Sequence, residues 1–310
     1  MKILITGGSG FVGSHLCARL TAVFPDARIT APDTAPLDVT DPASVDATIN
    51  AVRPDICVHL AAVSAISAAR GDPARAWQVN LGGTLLVAEA LRRHAPATVL
   101  VFPSSGEVYG KSFQSATLLG ESAHLAPLNT YAATKAAAEM ALNAMAADGL
   151  RVIILRLFNH TGPGQSPDFA LPAFARQIAR IEAGLQPPVL HVGALKPARD
   201  FLDVRDVCDA YAAAIDHAVA LPGLTVLNIA SGIPRRIGDI LDAMTALAGI
   251  QPRIEVGETL LRPVDIPSAA GDATAARATL QWSPAVPWET TLQDLLDHWR
   301  IRVRAETSEG

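Results

Sequence analysis

The sequence predicts an α/β fold, a doubly wound parallel sheet with a smaller C-terminal α/β lobe. Two features of the chain carry that expectation. Short apolar runs rich in Ile, Val and Leu alternate with helical patterns from Lys2 to Leu157, which is the order of a parallel sheet with crossover helices. Beyond residue 159 the alternation loosens into Gly/Pro-rich and mixed segments, as expected where a second lobe is built. At 310 residues the chain is long enough for a large core. Half of it is apolar, the net charge is only −5, and basic runs are absent, which argues against nucleic acid as a partner. Mean hydropathy is +0.27, yet no uninterrupted apolar run reaches the ~18 residues of a membrane span. Ile3-Leu4-Ile5 after Lys2 is too short for a signal segment, so a cytoplasmic protein is expected. Cys17, Cys57 and Cys208 are far apart in apolar surroundings, the pattern of reduced core thiols, and no metal-ligand spacing occurs.

Taken in order, Lys2–Thr6 is a strand, Gly7-Gly8-Ser9-Gly10-Phe11-Val12-Gly13 a glycine turn, and the apolar pattern through Leu16 and Leu20 a helix. Glycines at a strand-to-helix turn let the backbone approach a pyrophosphate, whose charge meets the amides and dipole of the helix. Gly7, Gly10, Phe11, Val12 and Gly13 are therefore candidate dinucleotide ligands in a Rossmann-type sheet. A second strand runs near 28–31, and Asp33 stands twenty residues after Gly13, where an acid binds the adenosine ribose. No Lys or Arg lies between Arg28 and Arg53, so NAD(H) is favoured and NADP(H) is left open by Arg28. Asp38, next to Val39, either faces the adenine amine or caps a turn. Ile56-Cys57-Val58-His59-Leu60-Ala61-Ala62 is a third strand, with His59 in the core and Leu60, Ala61 and Ala62 small enough to let a cofactor pass. A long helix from Trp77 to Ala95 carries Asn80, a further candidate contact, and 98–103 is the fourth strand.

Ser104-Ser105-Gly106-Glu107-Val108-Tyr109 follows that strand, at the edge where open α/β sheets bind ligands. Downstream, Tyr131 and Lys135 are four apart, on one face of a helix over 130–147. A cation beside a phenol favours the phenolate and moves tyrosine toward acid/base work near neutrality. With Ser105 aimed at the same oxygen, the set suits proton transfer at an alcohol or carbonyl while hydride moves at carbon. The 131–147 helix is Ala- and Met-rich on nearly every face, so it and the 77–95 helix are expected to pack against a second subunit in a homodimer.

Residues 151–157 form the fifth strand, and 159–165 reads as a polar loop. The main sheet is expected to take 1–158 and 203–229, and a substrate lobe 159–202 and 230–310. Within that lobe, helices are expected at 171–182 and 237–247 and strands at 189–192 and 253–256. Arg199 and Arg262 either clamp a phosphate through paired donors or pair with Asp203 and Asp265.

The glycine turn from Thr6 to Gly13, the serine motif and the Tyr131/Lys135 pair together resemble the extended short-chain dehydrogenases/reductases over essentially the whole chain. Phe158-Asn159-His160-Thr161-Gly162-Pro163-Gly164-Gln165-Ser166, residues 198–206 and Leu261-Arg262-Pro263-Val264-Asp265-Ile266-Pro267 are similar to the GDP-mannose-processing branch, and within it to reductases of GDP-4-keto-6-deoxy-D-mannose. The resemblance implies that Tyr131 is the proton donor, that Lys135 orients it and binds the nicotinamide ribose, and that Ser105 bonds the sugar oxygen. It places His160 near the nicotinamide, Asn159 near the diphosphate or sugar, Gly106 and Glu107 at the keto sugar, and Arg199, Arg262 and Asp265 around a GDP moiety. It implies no metal. Glu107 matches the position of a dehydratase glutamate, which keeps GDP-mannose 4,6-dehydration as the alternative. Nucleotide-sugar 4-epimerisation and a non-enzymatic dinucleotide-binding role stand further off, the last because the Ser/Tyr/Lys set is complete.

Overall fold

A computed structural model describes residues 1–33, 37–115, 118–257 and 266–308. In chain order its strands are β1 (Lys2–Thr6), β2 (Arg28–Thr30), β3 (Ile56–His59), β4 (Val99–Ser105), β5 (Leu118–Leu119), β6 (Arg151–Leu157), β7 (Asn159–Thr161), β8 (Val189–Val192), β9 (Ala198–Asp203), β10 (Leu224–Ile229), β11 (Pro234–Arg236), β12 (Arg253–Val256) and β13 (Ser268–Gly271). The helices are α1 (Phe11–Val23), α2 (Pro42–Val52), α3 (Ile66–Gly71), α4 (Pro73–Trp77), α5 (Thr84–His94), α6 (Thr130–Ala147), α7 (Ala170–Glu182), α8 (Val204–Asp216), α9 (Ile237–Ala248), α10 (Thr274–Leu280) and α11 (Trp288–Ser308).

The main sheet has six parallel strands in the order β10-β6-β4-β3-β1-β2. Its strands are buried on both faces, which is why they read as continuous apolar runs. Alternation sorts their side chains. Ile3, Ile5, Val99, Val101, Ile153 and Leu155 join Leu16 of α1 and Val207 and Tyr211 of α8 on one face. Leu4, Leu100, Phe102, Val152 and Ile154 join Ile49 of α2, Leu91 of α5 and Leu142 of α6 on the other. The order reverses between β1 and β3, and the crevice beyond the carboxyl ends of such strands is where ligands lodge. This is the Rossmann-type sheet expected from the sequence.

The helix expected from Trp77 to Ala95 is broken into α4, a π-helical turn at Gln78–Gly83, and α5. Packing accounts for the wider turn at its end. A Cβ at Gly83 would come within 3.0 Å of the Val39 side chain, so a glycine backbone lies against the strand-side loop there. Such π turns collect at functional sites, and this one carries Asn80.

A second sheet runs β11-β9-β13-β5, with β7 also paired to β9, and β12 pairs with β8 alone. The segment read as a loop from residue 159 thus begins as a strand: Asn159 to Thr161 pair in parallel with Phe201 to Asp203. Its hydrogen-bond partner lies forty residues away, beyond any local pattern. A third apolar cluster joins Phe174 and Ile178 of α7, Leu190 of β8, Ile240 and Met244 of α9, and Leu295, Leu296 and Trp299 of α11. Between these elements α8 and β10 return to the main sheet, β10 against β6. Among the described residues, no helix is long and apolar enough to cross a membrane.

Candidate active site

The first βα turn is built on glycine for steric reasons. Gly7 has φ +70°, a region L side chains rarely enter, and a Cβ at Gly13 would collide with the carbonyls of Gly7 and Gly8. The turn closes through Gly10 N–H to Gly7 O at 3.1 Å. Gly10 caps α1 without a side-chain hydrogen bond, which leaves the first amides of the helix for an anion. Phe11 stacks on His160 with centroids 6.1 Å apart, and His15 Nε2 lies 2.8 Å from Pro163 O, so the turn is tied to the 159–165 segment. Val12 is half-buried at the start of α1. His160 meets the Phe158 carbonyl through Nδ1 at 3.0 Å, and burial holds its imidazole below the usual range.

Asp33 is exposed just past β2. Arg28, which left the cofactor question open, pairs with Lys2 at the amino end of its strand, the edge opposite the glycine turn. Asp38 caps a turn: its Oδ1 accepts from the Thr40 amide and hydroxyl, both at 2.8 Å, and these bonds hold its carboxyl below the usual range. Val39 is buried against Gly83. Leu60, Ala61 and Ala62 are half-buried just beyond β3, Leu60 N–H reaching Thr6 O and Ala61 N–H reaching Thr6 Oγ1. His59 is a core residue pushed down to about 3, first by burial and then by Lys135. Asn80, expected at the cofactor, is buried and braces the segment after β3. Its Oδ1 accepts from Val63 N–H at 2.8 Å and its amide donates to Val63 O and Thr134 Oγ1, so the π turn fixes the segment after β3 to the Tyr131 helix.

At the end of β4, Ser105 Oγ accepts from Glu107 N–H at 3.2 Å and caps a 3-10 helix over Gly106–Gln114. Gly106 is required by close packing, since a Cβ there would stand 2.9 Å from the Phe158 ring. Lys135 is buried and donates to Pro103 O at 2.8 Å, 4.7 Å from the Phe102 ring centre. An ammonium has three donors. Burial lowers Lys135 to about 8, against the pull of Glu139. Tyr131 shifts in the direction opposite to that expected from a neighbouring cation. Burial pushes its phenol up to about 12; the Ser105 hydroxyl pulls it down and the Glu107 charge pushes it up. Desolvation of the phenolate outweighs the Ser105 hydrogen bond.

One residue that the sequence reading passed over joins these groups. Asn129 caps α6 by accepting from Ala132 N–H at 2.9 Å, and its amide donates to Glu107 Oε2 at 3.1 Å. An Asn directly before a helical pattern is a capping signal legible in the sequence; the reach to Glu107 is not. Tyr109, within the serine motif, belongs to the core. Its hydroxyl donates to Asn228 Oδ1 at 2.7 Å and accepts from Arg156 at 2.9 Å, while Arg156 pairs with Glu139 at 2.7 Å.

In the second sheet Asn159 is half-buried opposite Phe201. Arg199 donates to Ala198 O and Ile266 O at 2.8 and 2.7 Å. Asp203, the partner considered for Arg199, is instead bonded to Arg205 at 2.8 Å and to Thr291. Arg235, also unread in the sequence, stands directly across the antiparallel ladder from Arg199, its guanidinium 4.7 Å over Trp288. Arg262 and Asp265 lie outside the described residues. Among those described, no group of three or more His, Cys, Asp or Glu is placed to hold a metal ion.

A pyrophosphate turn at the sheet's switch point, with tyrosine, lysine and serine gathered two strands away, is the arrangement of a nicotinamide-dependent short-chain oxidoreductase of the extended type. The chain belongs to the NAD dependent epimerase/dehydratase family, whose model matches residues 3–230. It is 35% identical over 307 residues to the GDP-6-deoxy-D-mannose reductase of Pseudomonas aeruginosa, covering 98% of this chain and 99% of that one. It is 31% identical to a GDP-6-deoxy-D-talose 4-dehydrogenase of Aggregatibacter actinomycetemcomitans, covering 88% of each. Among solved structures, RMD from Pseudomonas aeruginosa complexed with NADPH superposes with a TM-score of 0.88 at 33% identity, over 97% of this chain and 99% of that one. The Thermus thermophilus UDP-glucose 4-epimerase complex with NAD gives 0.83 at 28%, over 97% and 99%.

Proposed function

We propose that this protein reduces the C4 keto group of GDP-4-keto-6-deoxy-D-mannose, forming GDP-D-rhamnose with NAD(P)H. The observation that carries the reading is Tyr131 beside Ser105 at the carboxyl end of β4, with Lys135 anchored on Pro103 O, in a chain 35% identical over 98% of its length to a GDP-6-deoxy-D-mannose reductase; burial raises the Tyr131 phenol to about 12. Reduction needs a proton donor at the carbonyl oxygen, whereas dehydration and epimerisation begin by taking a proton from the C4 hydroxyl. The dinucleotide supplies the hydride when bound. Tyr131 then gives its proton to the developing alkoxide, and Ser105 donates a second hydrogen bond to the same oxygen. Lys135, anchored on Pro103 O, turns its remaining donors to the nicotinamide ribose and follows Tyr131 on the next helical turn. Gly7, Gly10, Phe11, Val12 and Gly13 hold the pyrophosphate, Asp33 the adenosine ribose, and His160 the nicotinamide side.

The lobe formed by 159–202 and 230–310 holds the GDP-sugar. Arg199 and Arg235, side by side across β9 and β11, serve its diphosphate with Asn159, and Arg262 and Asp265 complete the GDP site. NAD(H) is favoured by Asp33 and by the remote position of Arg28, while the NADPH held by the Pseudomonas aeruginosa relative keeps NADP(H) in view. The protein works in the cytoplasm as a homodimer through α4, α5 and α6, a reading supported by Trp77 and Met140, 40% and 70% exposed there.

The test is oxidation of NADH or NADPH on addition of GDP-4-keto-6-deoxy-D-mannose, beside GDP-mannose with NAD⁺ or NADP⁺. Consumption that depends on the keto sugar, with nothing from GDP-mannose, is expected. Conversion of GDP-mannose would instead make Glu107 a working base and the protein a dehydratase.

A further inference from the structure

We propose that Asn129 is a positioning residue that clamps Glu107 to the Tyr131 helix, and that this clamp sets the geometry in which Tyr131 donates its proton. The inference rests on the reductase reading and names a residue that reading does not use.

Three hydrogen bonds form an unbroken chain through the site. Ser105 Oγ receives the Glu107 amide at 3.2 Å, Glu107 Oε2 receives the Asn129 amide at 3.1 Å, and Asn129 Oδ1 receives the Ala132 amide at 2.9 Å. Ala132 follows Tyr131 in the first turn of α6. One side chain thus spends its acceptor on the helix that carries the proton donor, and a donor on the carboxylate beside it. Neither half of that arrangement is redundant. Ser or Asp would cap the helix nearly as well. Only a side chain with both an acceptor and an N–H donor, at this length, also holds a carboxylate.

The consequence falls on Tyr131. The Glu107 charge disfavours the phenolate, so a carboxylate fixed at this place keeps the phenol in the donating form. Among the described residues, α6 brings Tyr131, Lys135 and Glu139 to the Glu107 helix, β6 brings Arg156, which is bonded to Tyr109 of that helix, the helix itself carries Lys111, and β5 and β13 carry no titratable side chain.

Asn129→Ser keeps the cap but cannot reach Glu107. It is expected to lower kcat about tenfold or more, with KM for the dinucleotide unchanged and Tm within about 2 °C. Asn129→Asp keeps the cap and sets two carboxylates against each other, which raises the affinity of the pair for a proton. Its rate is expected to climb as pH is lowered from about 8 toward about 5, a limb absent from the parent protein. The double change Glu107→Gln with Asn129→Asp exchanges donor and acceptor and should remove that limb. Parental kcat and pH profile in both single variants would overturn the proposal. So would a loss of rate that follows Tm and shows no new limb, which would leave Asn129 a helix cap only. Should the parent fail to reduce the keto sugar, the reductase reading falls separately. The clamp is then read from the ultraviolet titration of Tyr131, assigned by subtraction of Tyr131→Phe: Asn129→Ser should lower it, and an unmoved titration would refute the clamp.

Discussion

Two tyrosines in this protein lie near a cation, Tyr109 bonded to Arg156 and Tyr131 one helical turn before Lys135, and their hydroxyls are committed differently. Tyr109 lies under the site with Arg156, and its hydroxyl is committed on both sides, to Asn228 and to the guanidinium. Arg156 is closed in turn by Glu139, and the Asn228 amide reaches Leu119 O and Asp272 O, which ties the 3-10 helix, β6, β10 and α6 to the second sheet. Tyr131 and Lys135 stand on the same helix as Glu139, yet Tyr131 is only half-buried with its phenol on the Ser105 hydroxyl, and Lys135 gives Pro103 O one of its three donors. The residue types are nearly the same. What separates a brace from a candidate acid is whether the donors and acceptors are already used, and that is a property of packing.

Breaking the brace should give the largest effect. Arg156 and Glu139 are 7% and 5% exposed, so Arg156→Met strands a buried carboxylate. A loss of about 3–5 kcal/mol of stability is expected, measured by denaturant unfolding. A loss below about 1 kcal/mol would mean that the pair is as dispensable as a surface bridge. On the other side of the comparison, Tyr131→Phe should cost ~10²-fold or more in kcat, about 2.7 kcal/mol in the barrier, with little change in Tm. Tyr109→Phe is the paired control. It strands the Arg156 donor and the Asn228 acceptor, and should cost about 1–3 kcal/mol of stability while leaving turnover at the parental value. Unchanged turnover in Tyr131→Phe would remove it from the mechanism.

The main sheet was legible because its strands are buried on both faces, so apolar runs such as Ile3-Leu4-Ile5 and Arg151–Leu157 mark their own limits. The second sheet was largely hidden. Strands β5, β7 and β11 are two or three residues long, and β9 carries Arg199, Asp200 and Asp203, polar residues with partners such as Ile266, Ser231 and Thr291 that arrive only when distant segments meet. Asp200 is the clearest case, a fully buried carboxylate that accepts from Ser231, Gly232 and Gly271. At the site, residue types and helical spacing were enough to find Tyr131 and Lys135. Their titration was not legible, because the sequence shows which charges are neighbours and hides how much water each has lost. The same blindness hid the bracing by Asn80 and by Asn129: both amides act across tertiary contacts, with Thr134 and with Glu107.

Lys135 offers the finest test of the contrast, because its charge acts on stability and on binding with opposite signs. Its folded value of about 8 lies below the usual 10.5, so the folded protein pays to bury an ammonium at every pH below about 8. Between about 8 and 10.5 the unfolded chain holds more protons than the folded one, and stability should therefore rise with pH through that window. Binding should move the other way. Once the ammonium is lost, the nicotinamide ribose loses a charge-assisted hydrogen bond, and affinity for the reduced dinucleotide should fall above pH about 8 and level off near tenfold, or about 1.5 kcal/mol. Arg156 stays charged throughout that range, so the brace contributes to neither trend. Lys135→Met should flatten the pH dependence of binding and of that part of the stability curve together. If dinucleotide titrations between pH 7 and 10 show constant affinity in the parent protein, Lys135 is not holding the ribose by its charge, and it belongs with Arg156 among the braces.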